Sequence, residues 1–379
     1  MKKLGLTIFF DVFALMLLGL TMVMTASSTY SVFKFDNVFY LFNSHLFKVF
    51  LGIVAIIVFA FIPYEFYRRI SKPLIIATTI LLVVTLFFAH DIKGAGRWLN
   101  LGIISIQPAD IAKLALIIHL AVLLEAKAAT LDSYRNGFLY FFIWIMIISG
   151  LIMLQPNISS GIMLIIISLA VIYAGGAKFR HILLSLVISG TVIGAVAMIF
   201  PHSRSRIFSY ISSILGGGDI NFQVKQALYS LGSGGIFGVG IGNSMQSNLF
   251  LPEAYGDFIF AILGEEFGLI GSIAVLFAYI VFLGCGILIA KKSKDMFGQL
   301  LAFGITISIV LYAFVNVAVT TGIFPTTGLP LPFISYGGTS LIFLCISVGI
   351  LINIAISNHM RQNGLVHVPD QNPVEGIGR

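Results

Sequence analysis

Apolar residues in this chain come in continuous runs separated by short polar segments. Ten runs have the length and make-up of bilayer-crossing helices, over residues 6–26, 46–63, 73–90, 107–125, 137–154, 158–175, 180–200, 257–290, 297–321 and 338–357. One crossing needs about 20 predominantly apolar residues. A barrel of the outer-membrane type would instead show weak alternation over ten-residue segments. The eighth run is long for one crossing, so it is expected to tilt or to extend past the membrane. The pattern predicts an all-α polytopic membrane protein, with residues 1–358 as one integral-membrane domain. A large extracytoplasmic loop at 201–256 should join the seventh and eighth spans, and a polar tail at 359–379 should be disordered. Within the loop, 221–231 has helical spacing of apolar residues and predicts a short interfacial helix.

Composition agrees. The chain is 58% hydrophobic and only 10% charged, against about 25% charged in a soluble domain, and its mean hydropathy is +1.03. The net charge of +7 is not a nucleic-acid signature, because the bases sit in short loops between spans. They are unevenly shared. Fourteen, among them Lys2, Lys3, Arg68, Arg69, Lys72, Lys291 and Lys292, face the side of both termini, seven face the other, and Lys113 lies inside a span. The positive-inside rule then puts both termini in the cytoplasm and the 201–256 loop outside. Cys285 and Cys345 lie in apolar runs and read as small core residues. Lys2 and Lys3 precede a run too long for a cleavable signal, so the first span is expected to stay.

With charge this scarce, ionisable groups at or within membrane segments usually mark a working site. Leu251-Pro252-Glu253-Ala254-Tyr255-Gly256-Asp257-Phe258-Ile259-Phe260 sets two carboxylates, Glu253 and Asp257, at the mouth of the eighth span, with Glu265 and Glu266 about two turns deeper. On position alone two readings stand level: a working carboxylate, or a cap for the helix that follows. Other clusters converge on the same face. Gly96-Arg97-Trp98 offers a guanidinium that can fork onto phosphate or carboxylate, or a plain interfacial anchor. Gln107, Asp110 and Lys113 follow one another at three-residue steps on one helix side. Asp110 and Lys113 can pair, as a structural lock or as a diphosphate site. The Pro- and Gly-dense stretch 324–340 must break its helix, which is allowed at membrane depth only where protein buries the backbone or a wet cavity receives it. Amides near Ser335, Tyr336 and Gly337 could meet anionic oxygens there. Arg204, Arg206 and, on the short helix, Gln226 complete the candidates. Asp11, in the first span, is expected to pack against Lys or Tyr.

Taken in order, these motifs resemble the SEDS family of shape, elongation, division and sporulation proteins, which includes FtsW, RodA and SpoVE. The resemblance runs from Gly96-Arg97-Trp98 and Gln107-Pro108-x-Asp110-x-x-Lys113 through Gln155-Pro156 and Gly234-Gly235-x-x-Gly238-x-Gly240-x-Gly242. It continues with Leu251-Pro252-Glu253-x-x-x-Asp257-Phe258-Ile259-Phe260 and Gly264-Glu265-Glu266, and ends at Leu331-Pro332-Phe333-Ile334-Ser335-Tyr336-Gly337-Gly338. It spans about residues 5 to 358 and looks closer to the FtsW branch. Three positions depart from the pattern: Asp110 where Glu is frequent, Asn157 where Asp is frequent, and Tyr255-Gly256 where His-Thr is common.

The resemblance implies a peptidoglycan glycosyltransferase of the cytoplasmic (inner) membrane. It would join lipid II into glycan strands on the outer face and release undecaprenyl diphosphate, beside a class B penicillin-binding protein and other divisome or elongasome proteins. It also implies that Asp257 is the essential residue. A carboxylate there could take the proton of the attacking hydroxyl, while Arg97, Lys113, Arg204 or Arg206 stabilises the leaving diphosphate. Glu253 is expected to touch substrate or metal, and Glu265 and Glu266 to support packing. No cofactor is named, and a divalent cation could share the diphosphate. An elongation polymerase of the same chemistry and a lipid II flippase stand as alternatives.

Overall fold

The computed structural model describes residues 1–362 except 89, 93–94, 101–104, 217, 219 and 249; at 90–92, 95–97, 100, 129, 201–203, 214 and 362 it describes the backbone alone. The tail expectation therefore lies almost wholly outside the described residues. Twelve α-helices follow one another: α1 Lys2–Phe35, α2 Tyr40–Phe61, α3 Glu65–Phe88, α4 Pro108–Lys127, α5 Leu139–Leu154, α6 Ile158–Ala174, α7 Phe179–Ile199, α8 Pro201–Ile214, α9 Phe222–Gly234, α10 Ile259–Lys292, α11 Met296–Thr320 and α12 Ser340–Gln362.

All ten expected spans are helices, and they are α1–α7 and α10–α12. Seven of the ten are long and apolar enough to cross a membrane by themselves, and an eighth, α5, is so when joined to the π-helical turn Tyr134–Phe138 that precedes it. The other two are α6, apolar but 17 residues long, and α4, which carries Asp110, Lys113, Glu125 and Lys127. The helix α4 tolerates these charges because protein surrounds it. Its middle is buried nearly all round, from Leu114 to Ala121, and it packs against α3, α5, α6, α11 and α12. A helix apolar on every face belongs in a core. Its ends follow from the sequence: Gln107 is an extended N-cap, Pro108 takes the first turn, Asp110 faces the positive end of the helix dipole and Lys127 the negative end.

Three features escaped the hydropathy pattern. The helix α1 runs nine residues past its expected end at 26, because Ser27 and Ser31 are buried against protein and Thr29 donates to the Asn248 side chain at 2.8 Å. A small antiparallel sheet of β1 His90–Ile92, β2 Ala95–Asn100 and β3 Ser105–Ile106 fills the link between α3 and α4. The long loop is substantially helical, holding the foreseen α9 and the unforeseen α8.

That loop is fastened by its glycines. Residues 235–240 bond to 265–270 through Val239 N to Glu265 O at 2.9 Å, Gly240 N to Glu266 O at 3.1 Å and Leu269 N to Gly235 O at 2.9 Å. Gly268, at φ 67°, breaks α10 to allow it. A Cβ at Gly234 would collide with the Gly264 carbonyl, and one at Gly238 with that of Glu266. Glu265 lies inside this joint, accepting from Ser230 Oγ, Ser244 Oγ and Met245 N at 2.8, 2.6 and 2.9 Å. Glu266 accepts from Thr25 on α1 at 3.1 Å.

The opposite end of the bundle, where α12 ends, is closed by ion pairs. Arg68 reaches Glu125 and Asp295 at 3.0 and 3.1 Å, Arg361 reaches Asp295 and Glu65, and Tyr64 donates to Asp295. Asp295 also caps α11 through Gly298 N at 3.0 Å. This lattice ties α3, α4, α11 and α12 together.

Candidate functional site

The α8–α9 end is open. Two irregular segments, 250–258 and 321–339, lie against each other there and satisfy one another's backbone. Tyr336 N donates to Tyr255 O at 2.9 Å. Ser335 Oγ donates to Gly256 O at 2.8 Å and accepts from Leu331 N at 2.7 Å. Asn316 of α11, buried, donates through Nδ2 to both Asp257 O and Leu329 O, at 2.7 and 2.8 Å. Tyr279 of α10 donates to Pro332 O. Broken backbone at this depth survives because protein supplies its partners.

Between these segments and the N-terminal turns of α4 and α6 lies a cleft of about 180 Å³. Asp257 stands on its wall. It is not the N-cap of α10; that position is Phe258, which makes no side-chain cap bond. Facing the same space are Gln107, Asp110 and Lys113 from α4, Asn157 and Ser160 from the start of α6, Tyr312 from α11, and Tyr336 and Gly337. Lys113 Nζ lies 3.6 Å from Asp110 and 4.4 Å above the Tyr312 ring. Burying a charge is costly unless it is paired, and these three groups provide the pairing. Trp98 of β2 closes one side. It lies against Gly338, where a Cβ would come within 2.7 Å of the indole, so the second glycine of the Gly337-Gly338 pair is what admits the ring.

Arg206 of α8 approaches Asp257 from behind. It donates to Thr326 O at 3.2 Å. Gly328, at φ 72°, lies between them: its missing Cβ would sit 3.4 Å from Asp257 Oδ2 and 3.9 Å from the guanidinium. Burial pulls the Arg206 pKa down and the Asp257 charge opposes that shift; a guanidinium stays charged regardless. Burial first, then Glu253, raises the Tyr255 phenol. The arrangement can hold an anionic group against Lys113 and Gly337 while the Asp257 carboxylate faces the adjoining space.

Known proteins resemble this chain in sequence and fold. A family described as cell cycle protein, FtsW/RodA/SpoVE, matches residues 6–360. The chain belongs to the FtsW/RodA/SpoVE family. Among its relatives, stage V sporulation protein E of Bacillus subtilis is 36% identical over 347 residues, 90% of this chain and 94% of that one. A probable peptidoglycan glycosyltransferase FtsW of Trichlorobacter lovleyi is 34% identical over 346 residues, 91% of each. The fold matches Thermus thermophilus RodA with TM-score 0.69 at 23% identity, covering 93% of this chain and 96% of that one. It also matches a chain solved for the structural coordination of polymerization and crosslinking by a peptidoglycan synthase complex, with TM-score 0.74 at 23% identity, covering 93% and 97%.

Of the residues expected at an FtsW/RodA/SpoVE site, the structure gathers Gln107, Asp110, Lys113, Asp257, Tyr336 and Gly337 on one wall. Arg206 sits behind it. Four do not line the cleft. The Ser335 amide, expected to meet an anion, donates to Leu331 O at 3.0 Å and its hydroxyl is taken in the bonds above, Glu253 occupies a turn at φ 60°, Gln226 is half-buried on α9, and Arg204 is exposed on α8. The Arg97 side chain lies outside the described residues. No group of three or more His, Cys, Asp or Glu is placed to hold a metal among the described residues. Sequence reasoning passed over Tyr312, Ser160 and Asn316, and gave Trp98 no place at the site. Asn316 and Tyr312 are four residues apart on α11, a helical spacing that signals a shared face.

Proposed function

We propose that this multi-pass membrane protein is a peptidoglycan glycosyltransferase that polymerises lipid II on the outer face of the cytoplasmic membrane. The 4-hydroxyl of one GlcNAc attacks the anomeric carbon at the end of the growing strand. Asp257 accepts the hydroxyl proton, undecaprenyl diphosphate departs, and the linkage inverts from α to β. A diphosphate leaves without protonation, so one base is enough. Lys113 faces the diphosphate in the cleft, and Arg206 adds positive potential behind Asp257. The observation that carries the reading is that Asp257, the Asp110–Lys113 pair and the 336–337 turn, distant in sequence, line one cleft of a family whose curated relatives bear this activity in their names.

Both termini then lie in the cytoplasm, as the bases on their side favour. The relatives named FtsW and SpoVE favour a role at a division or sporulation septum over elongation, and the matching synthase complex favours a class B penicillin-binding protein as partner. A flippase would need a polar path from face to face. The ion-pair lattice between Arg68, Glu125, Asp295 and Arg361 ties the helices together at the cytoplasmic end, which favours the enzyme. The test is purified full-length protein given labelled lipid II, alone and with its transpeptidase. Glycan strands on a gel are expected; flipping of lipid II across liposomes without strands would overturn the proposal.

A further inference from the structure

A second cavity, of about 230 Å³, opens beside the cleft. Arg206, Tyr210 and Ser213 of α8 form one wall, Asn221 at the start of α9 another, and Phe324 with Thr326 a third. Only the short segment Thr326–Gly328 separates it from Asp257. Arg206 belongs to the cavity and holds Thr326 O, while Gly328 belongs to the cleft and touches Asp257. We propose that this cavity holds the saccharide strand beside Asp257, as a subsite for the growing β-1,4-linked glycan. The proposal rests on the polymerase reading above.

The chemistry of the walls points to sugar. A pyranose ring has apolar C–H faces and a polar rim, and such ligands take flat apolar surfaces with a few directed polar groups. Phe324, 46% exposed, supplies the flat surface. Asn221 uses its oxygen to cap α9 through Gln223 N at 2.9 Å, which leaves its NH2 group to donate. Tyr210 is locked by its bond to Ile323 O, fixing its ring on the wall. The cleft by itself has room for only part of two lipid-linked reactants. An enzyme that keeps its product must hold the strand on one side of the base and receive the next unit on the other.

The test uses full-length protein and lipid II, with Ser213→Trp to fill the cavity and Phe324→Ala to remove its apolar face; the exposed Phe324 makes the second change safe for folding. Strands several-fold shorter than wild type, with the first lipid II coupling largely retained, are expected from both. Unchanged strand lengths in both variants, each folded by thermal denaturation, would overturn the proposal. So would loss of the first coupling to the level of Asp257→Ala, because the cavity would then belong to the bond-forming site. A second arm separates the cavity from the activity. Saturation-transfer NMR with chitotetraose should show contact with Asp257→Ala protein, and the contact should vanish when Ser213→Trp is added. Contact that persists in the double variant would place the saccharide elsewhere.

Discussion

Replacing Glu265 by Ala should loosen the 201–256 loop from α10. The carboxylate is 2% exposed and accepts three hydrogen bonds, from Ser230, Ser244 and Met245. Ser230 has a second acceptor, Ala261 O at 3.0 Å, so it loses little. Ser244 Oγ and Met245 N have no other acceptor among the described residues. A buried donor left unsatisfied costs about 1–3 kcal/mol; Ser244 is buried, whereas Met245 is 70% exposed and its amide can turn to water, so the loss is about 1–3 kcal/mol in all. Glu265→Gln keeps an oxygen for Met245 N and its NH2 can donate to Ser244, so it should cost about 1 kcal/mol. Unfolding free energy in bicelles, measured by steric trapping with one tag on α9, reads both. Ala within about 0.5 kcal/mol of wild type, or Gln costing as much as Ala, would refute the latch.

Gly338→Ala should push the Trp98 indole aside at a cost of about 1–3 kcal/mol and raise KM for lipid II; an unchanged KM with native Trp98 fluorescence would contradict the packing. Asn316→Leu removes both clamps on the Asp257 and Leu329 carbonyls and should lower kcat together with stability, by about 1–3 kcal/mol per orphaned group, which thermal denaturation and turnover read jointly. Lys113→Gln leaves Asp110 buried without its cation and should destabilise by about 3–5 kcal/mol, whereas Lys113→Gln with Asp110→Asn should recover much of the stability but not the activity. Recovery of both would make the pair purely structural.

The bilayer-crossing helices were legible because lipid demands long apolar runs and nothing else in a chain produces them. Gln107, Asp110 and Lys113 were legible as a set because helical geometry alone puts three-residue steps on one side. Span orientation and the family resemblance put them on one face with Asp257, Tyr336 and Gly337, but the shape of the cleft they share was not legible, since those residues arrive from segments more than a hundred residues away. Ser335 looked like a ligand by neighbourhood, but its hydroxyl is needed to hold Gly256 to Leu331. Glu253 looked like a contact for substrate or metal by its place in the motif, but it is not among the residues that line the cleft. The helix α8 and the sheet were silent because Ser- and Arg-rich or Gly-rich segments carry no hydropathy signal; their order comes from tertiary contacts such as Tyr210 with Ile323 and Trp98 with Gly338. The glycines at 234–242 stood out, but the break at Gly268 that they pack against appears only in three dimensions.

The central claim is that Asp257 is the base of a polymerase. The direct measurement is lipid II polymerisation by Asp257→Asn, which keeps the shape of the side chain and the backbone clamp from Asn316. A positioned general base contributes about 10²–10⁴-fold, and the account predicts a loss of that order with lipid II binding retained. Polymerisation within about tenfold of wild type would contradict it.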